Sequence, residues 1–284
     1  MPKNIVVRLI GGCGNQLFIY AFGFARAKLS GRELLIDNIS GFGGSGDEYK
    51  SEYALNGLGI KGRMIGQSKW HYLIANRYFW FLVKILKIAY VEPSHLNYKD
   101  IQRPKCLFYE GYWQSYRYFD EYKEEIKNSL KLQENNENEI ISYKKLIQEE
   151  ENSVAIGMRF YEETLNASKY HLVKNDMYYL KAIELLESHV SNPKYFIFST
   201  DIKRAKSIMQ RSGKKNIVYI NPIKDKANAK LDLYLMSLCD HFIISNGTFY
   251  WWAAYLGEIK KSIVIAPEEG FTNRDALPPN WLRF

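Results

Sequence analysis

The sequence is poor in cysteine, and this limits the compartments and site types to consider. Its 284 residues contain three cysteines, Cys13, Cys106 and Cys239, which are widely spaced and form no C-x-x-C pair. An odd, scattered set of this kind argues against both a disulfide framework and a structural zinc site. We therefore expect a reduced, cytoplasmic protein.

The chain also lacks an apolar run long enough to cross a membrane. Its most apolar stretch, residues 78–88, contains Lys84 and Lys87 and is shorter than the roughly 20 residues that a span requires. The first residues do not have the basic, apolar and small-residue order of a signal peptide. The stretch leaves two interpretations open: a buried or half-buried helix, or an interfacial helix whose Trp80 and lysines contact the cytoplasmic face of the inner membrane.

Several catalytic signatures are missing as well. The five histidines show neither H-x-H nor H-E-x-x-H spacing, and neither a D-x-D run nor a G-x-S-x-G segment occurs. These absences disfavour metal chemistry and acyl hydrolysis. We expect neither a metal nor another cofactor.

Positive charge is in excess, since the formal net charge is +8 at pH 7. A surface of this sign attracts anions, but the anion can be a nucleic acid, a phosphorylated small molecule or an acidic membrane. Apolar residues make up 46% of the chain, which is ordinary for a soluble globular protein, and the 15% of aromatic residues can pack on sugar faces. Charge by itself does not choose among these partners.

Apolar strands alternate with helices in both halves of the chain, so the sequence predicts the α/β class with a mainly parallel sheet in each half. A strand at 5–10 and a helix at 16–29 open the chain, and a polar stretch at 128–152 precedes the point where the alternation restarts. We place the domain boundary in that stretch, which gives domains 1–150 and 151–284. Ligands of such sheets bind at the carboxyl ends of the strands, and two halves imply a cleft between them.

A glycine-rich loop, GGCGNQ, joins the first predicted strand to the first helix. Gly12 and Gly14 allow close backbone approach, and the N–H groups of a helix N-terminus favour a phosphate or another anion. Asn15 and Gln16 add side-chain donors. The loop is not a G-x-G-x-x-G fingerprint, whose ribose-binding acid would have to be Asp37 here, and a tight turn without a ligand is the alternative.

Charged residues follow the first strand of the second half. Arg159 comes at the strand end, and Glu162 and Glu163 lie just behind it. Arginine can hold a diphosphate through two hydrogen bonds, and a carboxylate can accept the proton of an attacking hydroxyl. We predict Arg159, Glu162 and Glu163 as catalytic residues, with a surface Arg–Glu pair as the alternative.

Two further predicted strands end in small polar residues. Ser199 and Asp201 follow one of them, where Asp201 is expected to contact a base edge or a ribose, to cap the next helix, or to do both. The aromatic residues after the other strand fit helix packing better than sugar stacking, because adjacent helical residues point in different directions. That strand ends in a second predicted anion cradle: Ser245, Asn246, Thr248 and Phe249.

Four blocks of the sequence resemble the α-1,2-fucosyltransferases of glycosyltransferase family 11. The opening block GGCGNQLF is followed, in the family's order, by GYWQS, FIFSTD and a block that ends in SNGTFYWW. The resemblance covers about residues 5–281 and is weak between about 61 and 100.

The resemblance implies a GT-B fold, with two Rossmann-like lobes and a cleft between them. It also implies GDP-fucose as the donor, a galactose-containing oligosaccharide, free or lipid-linked, as the acceptor, no metal, and no nucleic-acid partner. Transfer to the galactose 2-hydroxyl with inversion would give an α-1,2 linkage, as in bacterial O-antigens, capsules and other surface glycans. The N-terminal lobe would face the acceptor and the C-terminal lobe would hold the nucleotide sugar.

The same resemblance assigns roles to the predicted site residues. It places Arg159 on the donor phosphates, Asp201 near guanine or ribose, and residues 245–249 around the diphosphate. The opening loop would face them across the cleft, with residues 111–115 lining the acceptor side.

One segment departs from the family pattern, because the usual H-x-R-R-G-D reads GMRFYE here. Arg159 and Glu162 keep the places of the first arginine and the aspartate, whereas the histidine and the second arginine are missing. This loss supports an alternative function, a non-catalytic glycan-binding or peripheral membrane protein.

Overall fold

Each half of the chain folds around its own parallel β-sheet. The computed structural model describes residues 4–42, 52–67, 76–86, 89–92, 97–101, 107–130, 138–160, 175–220, 229–271 and 273–283. Within these residues lie a five-stranded and a six-stranded sheet, and all the strand pairs in both are parallel. The α/β class predicted from the sequence is confirmed.

The chain divides into two compact units. Unit 1 comprises Met1–Gln133 and Thr272–Leu277, and unit 2 comprises Glu134–Phe271 and Pro278–Phe284. The division lies before the helix Asn138–Gln148, because this helix packs against the helix Ala229–Ser237 of unit 2 and buries Ile140 and Ile147. The change of unit after Gln133 falls within the polar stretch at 128–152, ahead of the boundary drawn at 150.

Unit 1 combines a parallel sheet with its connecting helices. Its elements are β1 (Asn4–Arg8), α1 (Cys13–Ser30), β2 (Glu33–Asp37), β3 (Arg63–Met64), α2 (Arg77–Ile85), β4 (Ala89–Val91), β5 (Phe108–Glu110) and α3 (Lys123–Ser129). The strand order is β3-β2-β1-β5-β4, so the chain builds outward from β1 to β3 and then crosses to the other side, where β4 forms the edge and β5 lies next to β1. The switch point between β1 and β5 is where an open α/β sheet binds ligands, outside the carboxyl ends of its strands.

Helix α1 begins at Cys13, three residues before its predicted start, because the glycine-rich loop supplies its first turn. Gly12 is the N-cap in an extended conformation, and Gly31 ends the helix in the left-handed conformation with φ of 62°. A glycine at this position satisfies the last carbonyl groups without a side-chain penalty. Most of the helix is buried, so it is a central element of unit 1.

Unit 2 has the strand order of a dinucleotide-binding fold. Its elements are α4 (Asn138–Gln148), β6 (Ser153–Met158), α5 (Asp176–Glu187), β7 (Lys194–Ser199), α6 (Ile202–Arg211), β8 (Ile217–Tyr219), α7 (Ala229–Ser237), β9 (His241–Ile244), α8 (Thr248–Gly257), β10 (Val264–Ala266) and β11 (Leu282–Arg283). The order β8-β7-β6-β9-β10-β11 matches the 3-2-1-4-5-6 arrangement, with its switch point between β6 and β9. All six residues of β6 are buried, as expected for a central parallel strand.

His241 at the start of β9 makes the stability of unit 2 depend on pH. Its Nδ1 atom accepts a hydrogen bond of 3.0 Å from the backbone N–H of Ile263, so the folded state needs the neutral ring. Burial lowers the pKa of His241, although the nearby Asp240 opposes the shift and Lys261 adds to it. The unfolded state therefore takes up a proton at a higher pH than the folded state does. The stabilisation that the neutral His241 ring contributes is fully present above the unfolded pKa of about 6.5, and it is lost as the pH falls from that value through the lower pKa of the folded state.

We expect the melting temperature to fall between pH 7.5 and pH 5, and to fall less in the His241→Asn variant, whose Oδ1 can accept the same N–H. Thermal unfolding followed by circular dichroism at several pH values measures this difference. His189, which is exposed, provides the matched control, and His189→Asn should keep the wild-type slope. Parallel curves for wild type and His241→Asn would refute the assignment.

Candidate functional site

The carboxyl end of β6 is built around a glycine that an aromatic ring covers. A Cβ atom on Gly157 would lie 2.6 Å from the Cγ and Cδ1 atoms of Tyr250, so no larger residue fits under this ring. The Tyr250 hydroxyl donates to the carbonyl groups of Met158 and Phe198, each at 3.4 Å. Tyr250 therefore fixes the first turn of α8 against the ends of β6 and β7, and Arg159 follows β6 at this point.

The turn between β9 and α8 has the features of an anion site. The backbone N–H of Ser245 donates to the carbonyl of Gly157 at 3.1 Å, which ties the turn to β6. The Ser245 hydroxyl is buried and has no hydrogen-bond partner among the described residues, and buried polar groups of this kind call for a ligand or a water. Gly247 is the N-cap of α8 and has no side chain to satisfy the first N–H groups, which favours an anion there.

The other predicted residues of this turn differ in exposure. Asn246 is buried and lies against Gly270, whereas Thr248 and Phe249 in the first turn of α8 are partly exposed. Trp251 and Trp252 are fully buried, so the expectation that these aromatic rings serve helix packing is confirmed.

Ser199 and Asp201 form the turn after β7. The Oδ1 atom of Asp201 accepts the backbone N–H of Arg204 at 3.1 Å, so Asp201 is the N-cap of α6, one of its two expected roles. The Ser199 hydroxyl exchanges hydrogen bonds of 3.0 and 3.1 Å with the backbone of Asp201. Contact of either residue with a base or a ribose stays a prediction.

Arg204 is a cation at this site that sequence reasoning did not assign. Its guanidinium carbon lies 4.3 Å from the ring centroid of Phe160, and its Nε and Nη2 atoms lie 3.3 and 3.2 Å from Oδ1 of Asp176. Phe160 occupies the place of the family's second arginine and is buried. The guanidinium of Arg204 on α6 thus lies beside Phe160, the position at which this chain lacks the second arginine of the family motif. The sequence around Arg204 contains no signal that predicts this placement.

Three further acidic residues, Glu162, Glu163 and Asp232, belong to unit 2. Glu162 and Glu163, the predicted bases, lie outside the described residues and stay predictions. Asp232 on α7, which was not assigned a role, is largely buried, and burial raises its pKa to about 7.

In unit 1, Gln16 holds the glycine-rich loop in place. Its Nε2 atom donates to the carbonyl groups of Gly11 at 2.7 Å and Glu52 at 2.8 Å, and its Oε1 atom accepts the N–H of Ala54 at 2.9 Å. Both amide hydrogens are thereby used within the protein. We infer that Gln16 positions the loop, and its predicted contact with a ligand stays a prediction.

Asn15 and Asp37 have different surroundings. Asn15 is partly exposed, and its Oδ1 atom accepts a hydrogen bond of 2.8 Å from Gln114. Asp37 is buried and accepts hydrogen bonds from the backbone and hydroxyl of Ser40 and from the indole of Trp80. This carboxylate therefore stabilises the end of β2, and a ribose-binding role for it is not supported.

The two units and their switch points define the class of protein. Two Rossmann-like units of this kind constitute the GT-B fold of nucleotide-sugar-dependent glycosyltransferases, as expected. The chain belongs to glycosyl transferase family 11, whose model matches residues 4–283. The resemblance described above is confirmed, and the protein is a glycosyltransferase.

Individual relatives agree with this placement. The chain is 27% identical to an α-1,2-colitosyltransferase of Escherichia coli, with 98% of each chain covered. It is also 27% identical to the O-antigen biosynthesis glycosyltransferase WbnK of Escherichia coli, with 94% of this chain and 95% of the relative covered.

Among solved structures, the fold is similar to that of the fucosyltransferase NodZ from Bradyrhizobium, with a TM-score of 0.53, 15% identity, and 89% and 92% of the two chains covered. It is also similar to Arabidopsis thaliana FUT1 in complex with GDP, with a TM-score of 0.50, 15% identity, and 95% and 72% covered. These two likenesses concern the fold.

Proposed function

We propose that the protein transfers L-fucose from GDP-fucose to the 2-hydroxyl of a galactose-type acceptor during synthesis of a bacterial surface glycan. The observation that carries the donor assignment is the turn at the β6–β9 switch point. There the buried Ser245 hydroxyl and the N-terminus of α8 lie beside the end of β6, the strand that Arg159 follows. A diphosphate has the charge and the oxygen acceptors to satisfy these groups.

The proposed reaction needs positive charge more than it needs a strong base. The acceptor hydroxyl attacks the anomeric carbon as the bond to the GDP oxygen breaks, so negative charge develops on the diphosphate. Arg159 and the N–H groups of α8 stabilise that charge in place of a metal ion. The acceptor proton passes to a base, for which Glu162 and Glu163 are the candidates.

The donor sugar of the proposed reaction can be tested directly. One relative is named for colitose, which is fucose without its 3-hydroxyl, so GDP-colitose is the donor to compare with GDP-fucose. The test compares GDP-fucose with GDP-colitose on a panel of galactosides in the presence of EDTA. Transfer is measured as released GDP, and linkage analysis identifies the product. We expect the α-1,2-fucosyl product in EDTA. A requirement for metal, or exclusive use of GDP-colitose, would contradict the proposal.

A non-catalytic glycan-binding protein is the alternative function, and calorimetry separates the two. A transferase of this kind should bind GDP without a metal, and a binding module should not. The Ser245 hydroxyl is buried without a hydrogen-bond partner among the described residues and lies beside the N-terminus of α8. This favours the transferase, because a phosphate oxygen accepts from such a hydroxyl and from the N–H groups of a helix N-terminus.

The surface of α2 supports a second proposal, contact with a membrane. Among the described residues, no helix is both long and apolar enough to span a bilayer. Trp80, the membrane contact in the interfacial interpretation, is 1% exposed and its indole N–H donates to Asp37 at 2.7 Å, so it belongs to the core, as the other interpretation expects. The opposite face of the helix carries large apolar side chains that are 54% to 79% exposed: Tyr78, Phe81, Leu82, Ile85 and Leu86.

We propose that this face inserts into the headgroup region of an anionic membrane, because the chain carries a net charge of +8 and such surfaces attract basic proteins. The Phe81→Ser/Ile85→Ser variant should lose most of its co-sedimentation with phosphatidylglycerol vesicles and keep its melting temperature. Ile141→Ser on α4, where Ile141 is 50% exposed, is the control. Unchanged pelleting, or a wild type that forms dimers through this face by gel filtration, would exclude the membrane as its partner.

A further inference from the structure

Two loops meet at the switch point of unit 1. The Oδ1 atom of Asn15, after β1, accepts a hydrogen bond of 2.8 Å from the Nε2 atom of Gln114, after β5. A Cβ atom on Gly11 would lie 3.4 Å from the Cε1 atom of Tyr112, so this ring lies close to the glycine backbone. The two loops therefore form one continuous surface, although Asn15 and Gln114 are far apart in the sequence.

The loop after β5 is anchored by its inward-facing side chains. Exposure alternates along it, with Trp113 and Ser115 buried and Tyr112 and Gln114 partly exposed. Trp113 stacks on Phe22 of α1 with ring centroids 3.9 Å apart and 5° between the planes. The backbone of Trp113 is left-handed, with φ of 53°, and Tyr112 and Gln114 on either side of this packed tryptophan keep part of their surface exposed.

A buried carboxylate fixes the backbone of the same loop. The Oε2 atom of Glu92 accepts the N–H groups of Tyr112 at 2.8 Å and Trp113 at 3.2 Å. Any side chain at Gly111 would collide with Glu92, so glycine permits this close approach. The loop is held in place before any ligand binds, which lowers the entropic cost of recognition.

The two amides leave complementary atoms on this surface. Their shared hydrogen bond uses Oδ1 of Asn15 and one hydrogen of Gln114, and neither Nδ2 of Asn15 nor Oε1 of Gln114 has a hydrogen-bond partner within the described parts of the chain. A donor and an acceptor therefore lie side by side. If the oxygen and nitrogen atoms of both side-chain amides are exchanged, Asn15 and Gln114 still share one hydrogen bond and still leave one donor and one acceptor side by side.

The charged residues at neighbouring strand ends bind one another. Arg8 binds Ser40 at 2.9 Å and Glu110 at 3.3 Å, and Glu110 also accepts from Lys84 at 2.6 Å. Their charges are paired, so the surface at the switch point presents amides and an aromatic ring. That combination recognises sugar hydroxyls and sugar faces.

We propose that Asn15, Gln114 and Tyr112 form the subsite that binds the acceptor sugar. The two amides hydrogen-bond hydroxyl groups of the sugar, and the Tyr112 ring contacts its apolar face. Glu92 and Gln16 act as positioning residues for the two loops. This inference rests on the proposed function, since it needs a glycosyl acceptor.

Steady-state kinetics of Gln114→Ala with GDP-fucose and methyl β-galactoside test the subsite. We expect the KM for the galactoside to rise roughly tenfold, because a sugar hydroxyl loses its hydrogen bond. GDP affinity by calorimetry and hydrolysis of GDP-fucose without an acceptor should stay within about twofold of wild type. Gln210→Ala, at an exposed position on α6, is the matched control.

The outcomes separate the subsite from the proposed function. A wild type that neither binds GDP nor glycosylates the galactoside would overturn the proposed function, and the subsite with it. An active wild type with an unchanged galactoside KM in Gln114→Ala would overturn the subsite alone. Equal losses in GDP binding and in transfer would also overturn it, because they would show a structural role for Gln114.

Discussion

Replacing Arg159 with alanine should lower kcat/KM for transfer by about 10²- to 10³-fold, the effect of removing one preorganised group that stabilises developing charge. The residue follows β6 at the switch point, where the Ser245 turn and the N-terminus of α8 also lie. A guanidinium there matches two diphosphate oxygens at once. Arg159→Lys should recover part of the loss, because lysine keeps the charge but not the paired geometry.

Initial rates with GDP-fucose and a galactoside measure this effect, and circular dichroism shows whether the variant folds. Arg274→Ala is the control, because Arg274 is exposed in unit 1 and should leave the rate unchanged. Transfer by Arg159→Ala within threefold of wild type would remove Arg159 from the proposed mechanism.

Replacing Gly157 with valine should have the next largest effect, through the packing of α8. A side chain at this position would collide with the Tyr250 ring, and overpacking of this kind typically costs about 1–3 kcal/mol of unfolding free energy. The ring is in the first turns of α8, so its displacement would also move the Ser245 turn. We expect GDP binding to weaken, and transfer to fall by about 10²-fold, as for a displacement of roughly 1 Å at a reacting site.

A second substitution distinguishes this collision from a general loss of stability. Tyr250→Ala in the Gly157→Val background makes room for valine, so the two unfolding penalties should not add. Gly66→Val is the control for valine at a glycine, because nothing lies within 4 Å of a Cβ atom there. Additive penalties, or full GDP affinity in Gly157→Val, would contradict the packing argument.

Local signals in the sequence predict most elements of unit 2. The sequence predicts that Asp201 caps the next helix, and α6 begins at Ile202, because aspartate is a strong N-cap. The start of α1 is less predictable, since glycine has low helix propensity and the first turn forms around the loop. Short strands such as β3 and β4 give no periodic pattern, because two or three residues cannot show one.

The environment of single side chains is harder to predict than the elements. Trp80 belongs to a stretch for which a buried or half-buried helix and an interfacial helix are both open from the sequence, and the bond of its indole to Asp37, which lies on another element, places this side chain in the core. Likewise, Gln16 looks like a ligand donor in the motif, and its bonds to Gly11, Glu52 and Ala54 reveal a structural use. Such contacts join distant parts of the chain, which local patterns do not report.

The sequence by itself determined the α/β class, the family and the strand ends on which polar residues lie. It does so because periodicity, glycine placement and capping residues act within a few residues of one another. The tertiary structure alone decided that Tyr250 covers Gly157, that a guanidinium from α6 lies over Phe160, and that Asn15 meets Gln114. These pairings depend on parallel strands that are distant in sequence and adjacent in the sheet, so strand order creates the site.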